Sequence, residues 1–170
     1  MSRSAPIVST AQALGLADAL ADEIIRRVLP GLVRFEGVEL SPYLCPAGIP
    51  SIGLGATYYL DGRAVRLTDP PISREHAFAL AVAQLRRDFV PAVARLCRGA
   101  KTPGELAALV DFAFNLGAGQ LRASTLRRRV NDGPRDDVPA QFRRWTKAAG
   151  RVMRGLVLRC EHRVSLWASS

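Results

Sequence analysis

One acidic residue, Glu36, stands where an apolar helical pattern gives way to a segment rich in proline and glycine. Cys45 follows nine residues later, and Ser51 six residues after that. A carboxyl group partly shielded from water beside Phe35 keeps its proton more readily, and it can then protonate the oxygen of a breaking glycosidic bond. Gly37 lets the chain leave the helix and a bulky substrate approach. The segment predicts acid-catalysed glycoside cleavage, with a solvated helix-end carboxylate as the alternative.

Residues 36–55 read Glu-Gly-x-x-Leu-x-x-Tyr-x-Cys-x-x-Gly-x-x-Ser-Ile-Gly-x-Gly. This pattern resembles the catalytic signature of the phage-type lysozymes, the endolysin muramidases of glycoside hydrolase family 24. Two later segments, at residues 111–133 and 143–163, resemble helical segments of the same family. The three motifs occur in the expected order and together cover residues 32–168. The resemblance implies an enzyme that cleaves the sugar chains of bacterial peptidoglycan.

In that family a glutamate is followed by aspartate or cysteine and then by threonine. By position, the resemblance implies that Glu36 is the general acid, that Cys45 places or activates the attacking water or stabilises the positive sugar ring, and that Ser51 orients water. Cys45 is the weak point of this assignment, because a thiol with a pKa of about 8.5 is mostly neutral at pH 7. It needs tertiary contacts that lower its pKa, and its alternative interpretation is a small buried residue.

The resemblance also implies that Asn115, Ser124 and Thr125 line the substrate groove. Each has a structural alternative: Asn115 can satisfy backbone groups at a helix end, and Ser124 with Thr125 can form an ordinary N-cap pair. Ala56 stands where many relatives carry a histidine, which removes one possible partner for the acid. An arginine from the basic C-terminal helices is another candidate, although an uncompensated arginine favours the ionised form of Glu36.

Hydrophobic periodicity predicts an α+β chain that is mostly α, and the resemblance implies a lysozyme-like fold with a small antiparallel β-hairpin lobe facing a larger helical lobe. The predicted hairpin pairs Ser51–Leu60 with Ala64–Leu67 through an Asp61-Gly62 turn. The predicted helices run from Ser9 or Thr10 to Phe35, from Ser73 to Gly99, from Thr102 to Asn115, from Ala123 to Val130, from Val138 to Lys147 and from Val152 to Trp167.

Several local signals refine these elements. Pro30 is expected to kink or restart the first helix, and Pro91 to bend or split the second, because proline removes a helical hydrogen bond. Ser73 is a predicted N-cap, and Thr102 with Glu105 forms a predicted capping box.

The composition describes one globular domain of 170 residues, with 48% hydrophobic and 23% charged residues. The net charge of +9 favours a polyanionic partner, and nucleic acid, anionic lipid and bacterial cell wall are the candidates. The three cysteines form no metal-binding spacing and no even-numbered disulfide framework. We therefore expect neither a metal nor a cofactor.

The first 30 residues are predicted to be a leader whose amphipathic helix packs on a catalytic domain at residues 31–170. No secretory signal and no membrane-spanning run is evident. We expect a monomer made in the host cytoplasm that reaches the periplasmic wall by some other route.

Three functions remain open at this stage. The first is an endolysin that hydrolyses the β-1,4 bond between N-acetylmuramic acid and N-acetylglucosamine for host cell lysis. The second is a lytic transglycosylase that uses Glu36 alone. The third is a basic, helical nucleic-acid-binding domain, against which the arginine-rich segments lack interleaved exposed aromatics. Nucleic acid is therefore not the expected partner.

Overall fold

The computed structural model describes residues 18–45 and 47–169. The predicted N-terminal tail and the first part of the leader lie outside these residues. The helices are α1 (Asp18–Glu36), α2 (Arg74–Gln84), α3 (Val90–Leu96), α4 (Pro103–Leu116), α5 (Ala118–Ala123), α6 (Thr125–Asp132), α7 (Val138–Phe142) and α8 (Arg154–Ala168). The strands are β1 (Glu39–Leu44), β2 (Pro50–Gly53), β3 (Lys147–Ala148) and β4 (Arg151–Val152). The predicted class, a mostly helical α+β fold with a small antiparallel hairpin, is confirmed.

Helix α4 forms the centre of the larger lobe. Its buried residues lie on all sides, from Leu106 to Ala113, and a helix that is apolar all round is buried all round. Helices α1 and α8 pack against it from two sides. The capping box predicted at its start is present, since the Thr102 hydroxyl accepts from the Glu105 amide while the Glu105 carboxylate accepts from the Thr102 amide.

Helix α1 contributes a buried stripe that includes Ala21, Ile24, Val28 and Leu32 to the same core as α4. Pro30, expected to kink or restart this helix, lies inside it, because the fully buried residues on either side hold the turn in place. The proposed division of the chain at residue 30 thus falls within one continuous helix. The helix ends at Glu36.

The hairpin lies earlier in the chain than the Asp61-Gly62 signal predicts. Strands β1 and β2 pair antiparallel, with Tyr43 opposite Ser51. After β2, the positive φ angles of Gly53 (67°) and Gly55 (92°) turn the chain out of the extended conformation, so the predicted strand from Ser51 stops early.

Around Asp61 and Gly62 the predicted strand pairing is reduced to an isolated bridge between Tyr58 and Ala64. The turn itself forms, because the Asp61 carboxylate accepts from the Arg63 amide at 2.9 Å. The dipeptide therefore predicted a turn correctly and a full hairpin wrongly.

The helix predicted from Ser73 to Gly99 is split, as Pro91 predicts. Ser73 caps α2 by accepting from the His76 amide at 3.2 Å. A π-helical turn, Leu85–Phe89, separates α2 from α3, and Pro91 lies in the first turn of α3. The missing N–H of proline frees a carbonyl one turn earlier, and wider π turns are a usual way to absorb such a break.

The C-terminal region contains a second hairpin that the sequence did not predict. The helix expected from Val138 to Lys147 ends as α7 at Phe142, and β3 and β4 follow. Positive φ angles at Ala149 (47°) and Gly150 (77°) make the tight turn between them. Helix α8 starts directly after this hairpin and runs back along α4. None of the helices in the described part of the chain is long and apolar enough to cross a membrane.

Candidate active site

Glu36 is the last residue of α1, and its side chain is 31% exposed. Gly37 follows with a positive φ of 74°, which lets the chain turn at once into β1. The carboxyl group is therefore held by a rigid helix on one side and open to solvent on the other. This placement suits an acid that must both keep its position and meet a substrate.

Arg159 on α8 is the direct partner of Glu36. One terminal N–H group of its guanidinium donates to Glu36 Oε1, and its side chain is only 3% exposed. The rest of the guanidinium is occupied by Asp111, which accepts from Arg159 Nη2 at 2.9 Å and from Arg159 Nε at 3.2 Å. The arginine fork thus bridges a fully buried carboxylate and a partly exposed one.

Arg163 lies one helical turn after Arg159 and approaches the same carboxylate. Its Nε donates to Asp111 Oδ2 at 2.5 Å, and its Nη2 donates to Asn115 Oδ1 at 2.8 Å. Burial alone would raise the pKa of the Asp111 carboxyl, but the charges of Arg163 and then Arg159 outweigh burial and hold this pKa below its usual value. Asp111 is therefore ionised, and the pairs join α4 to α8 beneath Glu36.

Cys45 directly follows β1, and Ser51 is the second residue of β2. Hydrogen bonding from the backbone amides of Ile49 and Ala47 lowers the pKa of the Cys45 thiol; desolvation acts against this shift, and a weaker hydrogen bond from Ser51 adds to it. Ser51 is buried, and in the structure its single hydroxyl proton is donated to Ile49 O at 3.1 Å, so the bond to the sulfur forms only when this proton turns away from the carbonyl. The lowering that a catalytic thiol requires thus comes from the turn that connects the two strands.

Tyr43 on β1 responds to the charges of both Glu36 and Cys45. Burial raises the pKa of its phenol most strongly, and the charges of Glu36, Cys45 and Glu39 raise it further. Opposite Tyr43 in the ladder lies Ser51. The charges of the predicted acid and thiol thus act on Tyr43, and the predicted water-orienting serine pairs with it in the hairpin.

Comparison with known proteins identifies the family of this chain. The phage lysozyme family model matches residues 33–163, which include Glu36, Cys45 and Ser51. This chain belongs to the phage lysozyme family. It is a peptidoglycan-hydrolysing enzyme of that family.

The SAR-endolysin of Escherichia phage Mu is similar to this phage lysozyme, with 31% identity over 139 residues, or 80% of this chain and 75% of the relative. Among solved structures, the endolysin of Escherichia coli O157:H7 phage FAHEc1 has a TM-score of 0.72 at 29% identity and covers 85% of this chain and 92% of its own. A P22 lysozyme variant has a TM-score of 0.72 at 27% identity, with 87% and 96% covered.

The three predicted groove residues of this phage lysozyme have partners within the protein. Asn115 accepts from Arg163, as described above. Ser124 is buried and caps α6, since its hydroxyl accepts from the Arg127 amide at 3.0 Å and donates to Leu121 O at 2.7 Å. Thr125 accepts from Arg128 at 2.9 Å. Thr125 also lines a shallow cavity of about 210 Å³ between α6 and α7.

Ala56 is buried, and it lines a separate cavity of about 350 Å³ beside α2. Gln84 lines the same cavity, and its Oε1 is buried with no hydrogen-bond partner among the described residues.

Sequence reasoning missed Tyr43, Asp111 and Arg163 as site residues, and it predicted an arginine partner for Glu36 from the C-terminal helices without identifying Arg159. One signal for Asp111 was available: it is a lone charge in an otherwise apolar helical stretch, and a buried charge needs a charged partner. No comparable signal distinguishes Arg159 and Arg163 from the other arginines near the C-terminus.

Proposed function

We propose that this phage lysozyme is an endolysin that hydrolyses the β-1,4 bond between N-acetylmuramic acid and N-acetylglucosamine in peptidoglycan for host cell lysis, with Glu36 as the general acid. The observation that carries this proposal is the placement of Glu36: a carboxyl at a helix end, partly exposed to solvent and held by the buried guanidinium of Arg159. The guanidinium fixes the position of the carboxyl at the point where a substrate can reach it.

In the proposed reaction, protonated Glu36 gives its proton to the glycosidic oxygen as the bond to the sugar carbon breaks. The ring that remains carries positive charge, and a water molecule attacks it from the opposite face. The lowered pKa of Cys45 increases its thiolate fraction near neutral pH, so the thiolate can accept a proton from that water or stabilise the ring charge. Ser51, behind the thiol, is proposed to hold the water or the sulfur in orientation.

This scheme inverts the sugar configuration in one step. Inverting enzymes need room for a water between their two catalytic groups, which in carboxylate pairs are about 6.5–9.5 Å apart. Placing the second group at Cys45, on a separate turn from the helix that carries Glu36, is compatible with such a gap. The groove roles of Asn115, Ser124 and Thr125 also remain proposals.

A lytic transglycosylase is the second candidate, and the thiol at position 45 favours it. A transglycosylase needs only one acid, because the muramic hydroxyl of the substrate itself attacks the ring. The products differ: hydrolysis leaves a reducing end, whereas intramolecular attack leaves a 1,6-anhydro end.

The deciding experiment compares wild type with Glu36→Gln, Cys45→Ala and Cys45→Asp. It measures the loss of turbidity of Gram-negative cells stripped of their outer membrane, and mass spectrometry identifies the released muropeptides. The control is Glu39→Gln, which removes an exposed carboxylate three residues from the acid. We expect reducing ends from wild type, Cys45→Asp and the control, and almost none from Glu36→Gln or Cys45→Ala.

Full activity in Glu36→Gln would reject the proposal. Anhydro products that survive Cys45→Ala would establish the transglycosylase instead. If wild type releases nothing and binds DNA with a steep salt dependence, the basic surface belongs to a nucleic-acid-binding protein. We further propose that the enzyme acts as a monomer on the periplasmic side of the wall after its release.

A further inference from the structure

The ion pairs beneath Glu36 form a balanced set of four charges. Arg159 and Arg163 are positive, Asp111 is negative and fully buried, and an ionised Glu36 supplies the second negative charge. All three internal members are at most 3% exposed, so water screens their charges little. When Glu36 takes up the proton that it must donate, the set is left with one net positive charge.

The other groups around Glu36 are the same in all the variants compared below. On β1 and the following turn, Tyr43 has a raised pKa and is neutral, Glu39 is exposed, and Cys45, whose pKa is lowered, supplies a partly negative sulfur. On α1 itself, Arg34 is exposed, so water screens its charge. On α8, burial lowers the pKa of His162 most strongly, so its imidazole is neutral at pH 7. From α4, Asn115 contributes only a neutral amide, and the buried ionised groups are the two arginines and Asp111.

Asp111 and Arg163 therefore have opposite effects on the electrostatic potential at Glu36, and both effects reach it through the guanidinium of Arg159. Asp111 holds the Arg159 fork by two hydrogen bonds and offsets its charge. Arg163 competes for the same carboxylate, because its Nε donates to Oδ2, the oxygen that Arg159 Nε also uses.

We propose that Asp111 and Arg163 are positioning residues that together set the pH range in which Glu36 can donate its proton. This inference rests on the proposed role of Glu36 as the general acid. Neither residue touches the substrate; each acts through Arg159.

The sign of each effect follows from charge alone. At high pH, kcat/KM falls because the acid loses its proton. The pH at which this fall occurs is the position of the alkaline limb. Asp111→Asn removes the negative charge that offsets the arginines, so Glu36 loses its proton more easily and the limb moves to lower pH. Arg163→Gln removes a positive charge, so the limb moves to higher pH. At an effective dielectric constant of about 20, a unit charge within about 12 Å of Glu36 shifts the limb by about one pH unit or more.

The experiment measures kcat/KM for labelled peptidoglycan sacculi across the pH range for wild type, Asp111→Asn, Arg163→Gln and the double variant. The double variant removes one charge of each sign, so its limb should return close to that of wild type. Near-ultraviolet circular dichroism at each pH shows that the enzyme is folded. General damage to the packing would lower activity at every pH. It would not move the alkaline limb to lower pH in Asp111→Asn and to higher pH in Arg163→Gln.

Glu161→Gln is the matched control. It removes an anion from the same helix, but Glu161 is 50% exposed in a surface pair with Arg143. Its effect on the limb should be smaller and should disappear at high salt, whereas the shifts from the buried pair persist.

Opposite shifts in the two single variants support the inference, and shifts in the same direction or unchanged limbs overturn it. If Asp111→Asn fails to fold, Arg163→Gln decides: an upward shift supports the inference, and an unchanged limb overturns it. A wild-type enzyme without activity, or a fully active Glu36→Gln, would overturn the proposed function itself and this inference with it.

Discussion

Gly31 in α1 lies against the imidazole of His162 in α8 so closely that a methyl group in its place would overlap Nε2. His162 is held there by its ring contact with Phe35, with ring centroids 5.6 Å apart. The contact joins the helix that ends in Glu36 to the helix that carries Arg159. Gly31 therefore controls the approach of the acid to its arginine.

We expect Gly31→Ala to destabilise the protein by about 1–3 kcal/mol, because the added methyl group must displace the His162 ring from its place against α1. Activity should fall more than the folded fraction does, since Glu36 moves relative to Arg159. Gly119→Ala in α5 is the control, because no atom of the described residues lies within 4 Å of the added carbon. That control should stabilise the protein by up to about 1 kcal/mol through its higher helix propensity. Urea unfolding measures both, and equal stability of the two variants would contradict the prediction.

Arg159→Lys should be strongly impaired although it keeps the positive charge. Arg159 uses three different nitrogens, one for Glu36 and two for Asp111, and an ammonium group cannot match that planar fork. Loss of the pairing leaves Asp111 partly uncompensated in the core, at a cost of about 3 kcal/mol. Thermal unfolding and the initial rate of wall hydrolysis measure the two effects. A variant with wild-type stability and rate would show that charge alone suffices.

Cys45 should react with iodoacetamide much faster than the other two thiols. Its pKa is lowered by hydrogen bonding from the Ile49 and Ala47 amides, whereas burial raises the pKa of Cys97 to about 12 and also raises that of Cys160. Only the thiolate reacts. As the pH rises, the alkylation rate at Cys45 should therefore reach its half-maximum at a pH below the ordinary pKa of a thiol. Peptide mapping by mass spectrometry follows each site. Equal labelling of Cys45 and Cys97 in the folded protein would contradict the prediction.

Glu105 should make the protein sensitive to acid. Burial raises the pKa of its carboxyl, but Arg135 and the amides of Lys101 and Thr102 outweigh burial, and the pKa lies below its usual value. A lowered pKa stabilises the folded state above the unfolded-state value of about 4.3, and this stability is lost as the pH falls through the folded-state value.

We expect Glu105→Gln to lower the free energy of unfolding at pH 7 and to have less effect at low pH, where wild type has lost the same interaction. Thr102→Ala, which removes the other half of the capping box, should cost about 1 kcal/mol at both pH values. Denaturant titrations at the two pH values measure this. If Glu105→Gln lowers the free energy of unfolding by the same amount at both pH values, the lowered pKa of Glu105 is contradicted.

The sequence alone determined the features that depend on nearby residues. The Thr102–Glu105 capping box, the Ser73 cap and the split before Pro91 follow from local hydrogen bonding. The apolar pattern before Gly37 predicted that Glu36 lies at a helix end, as it does.

Only the tertiary structure decided what surrounds Glu36. Arg159 is 123 residues away from Glu36 in the chain and 48 from Asp111, and no local pattern indicates which of many arginines is buried. The position of the hairpin also depended on backbone angles at Gly53 and Gly55 that their residue type allows but does not impose. Long-range ion pairs form only where packed helices bring charges together and exclude water, and that packing is a property of the whole fold.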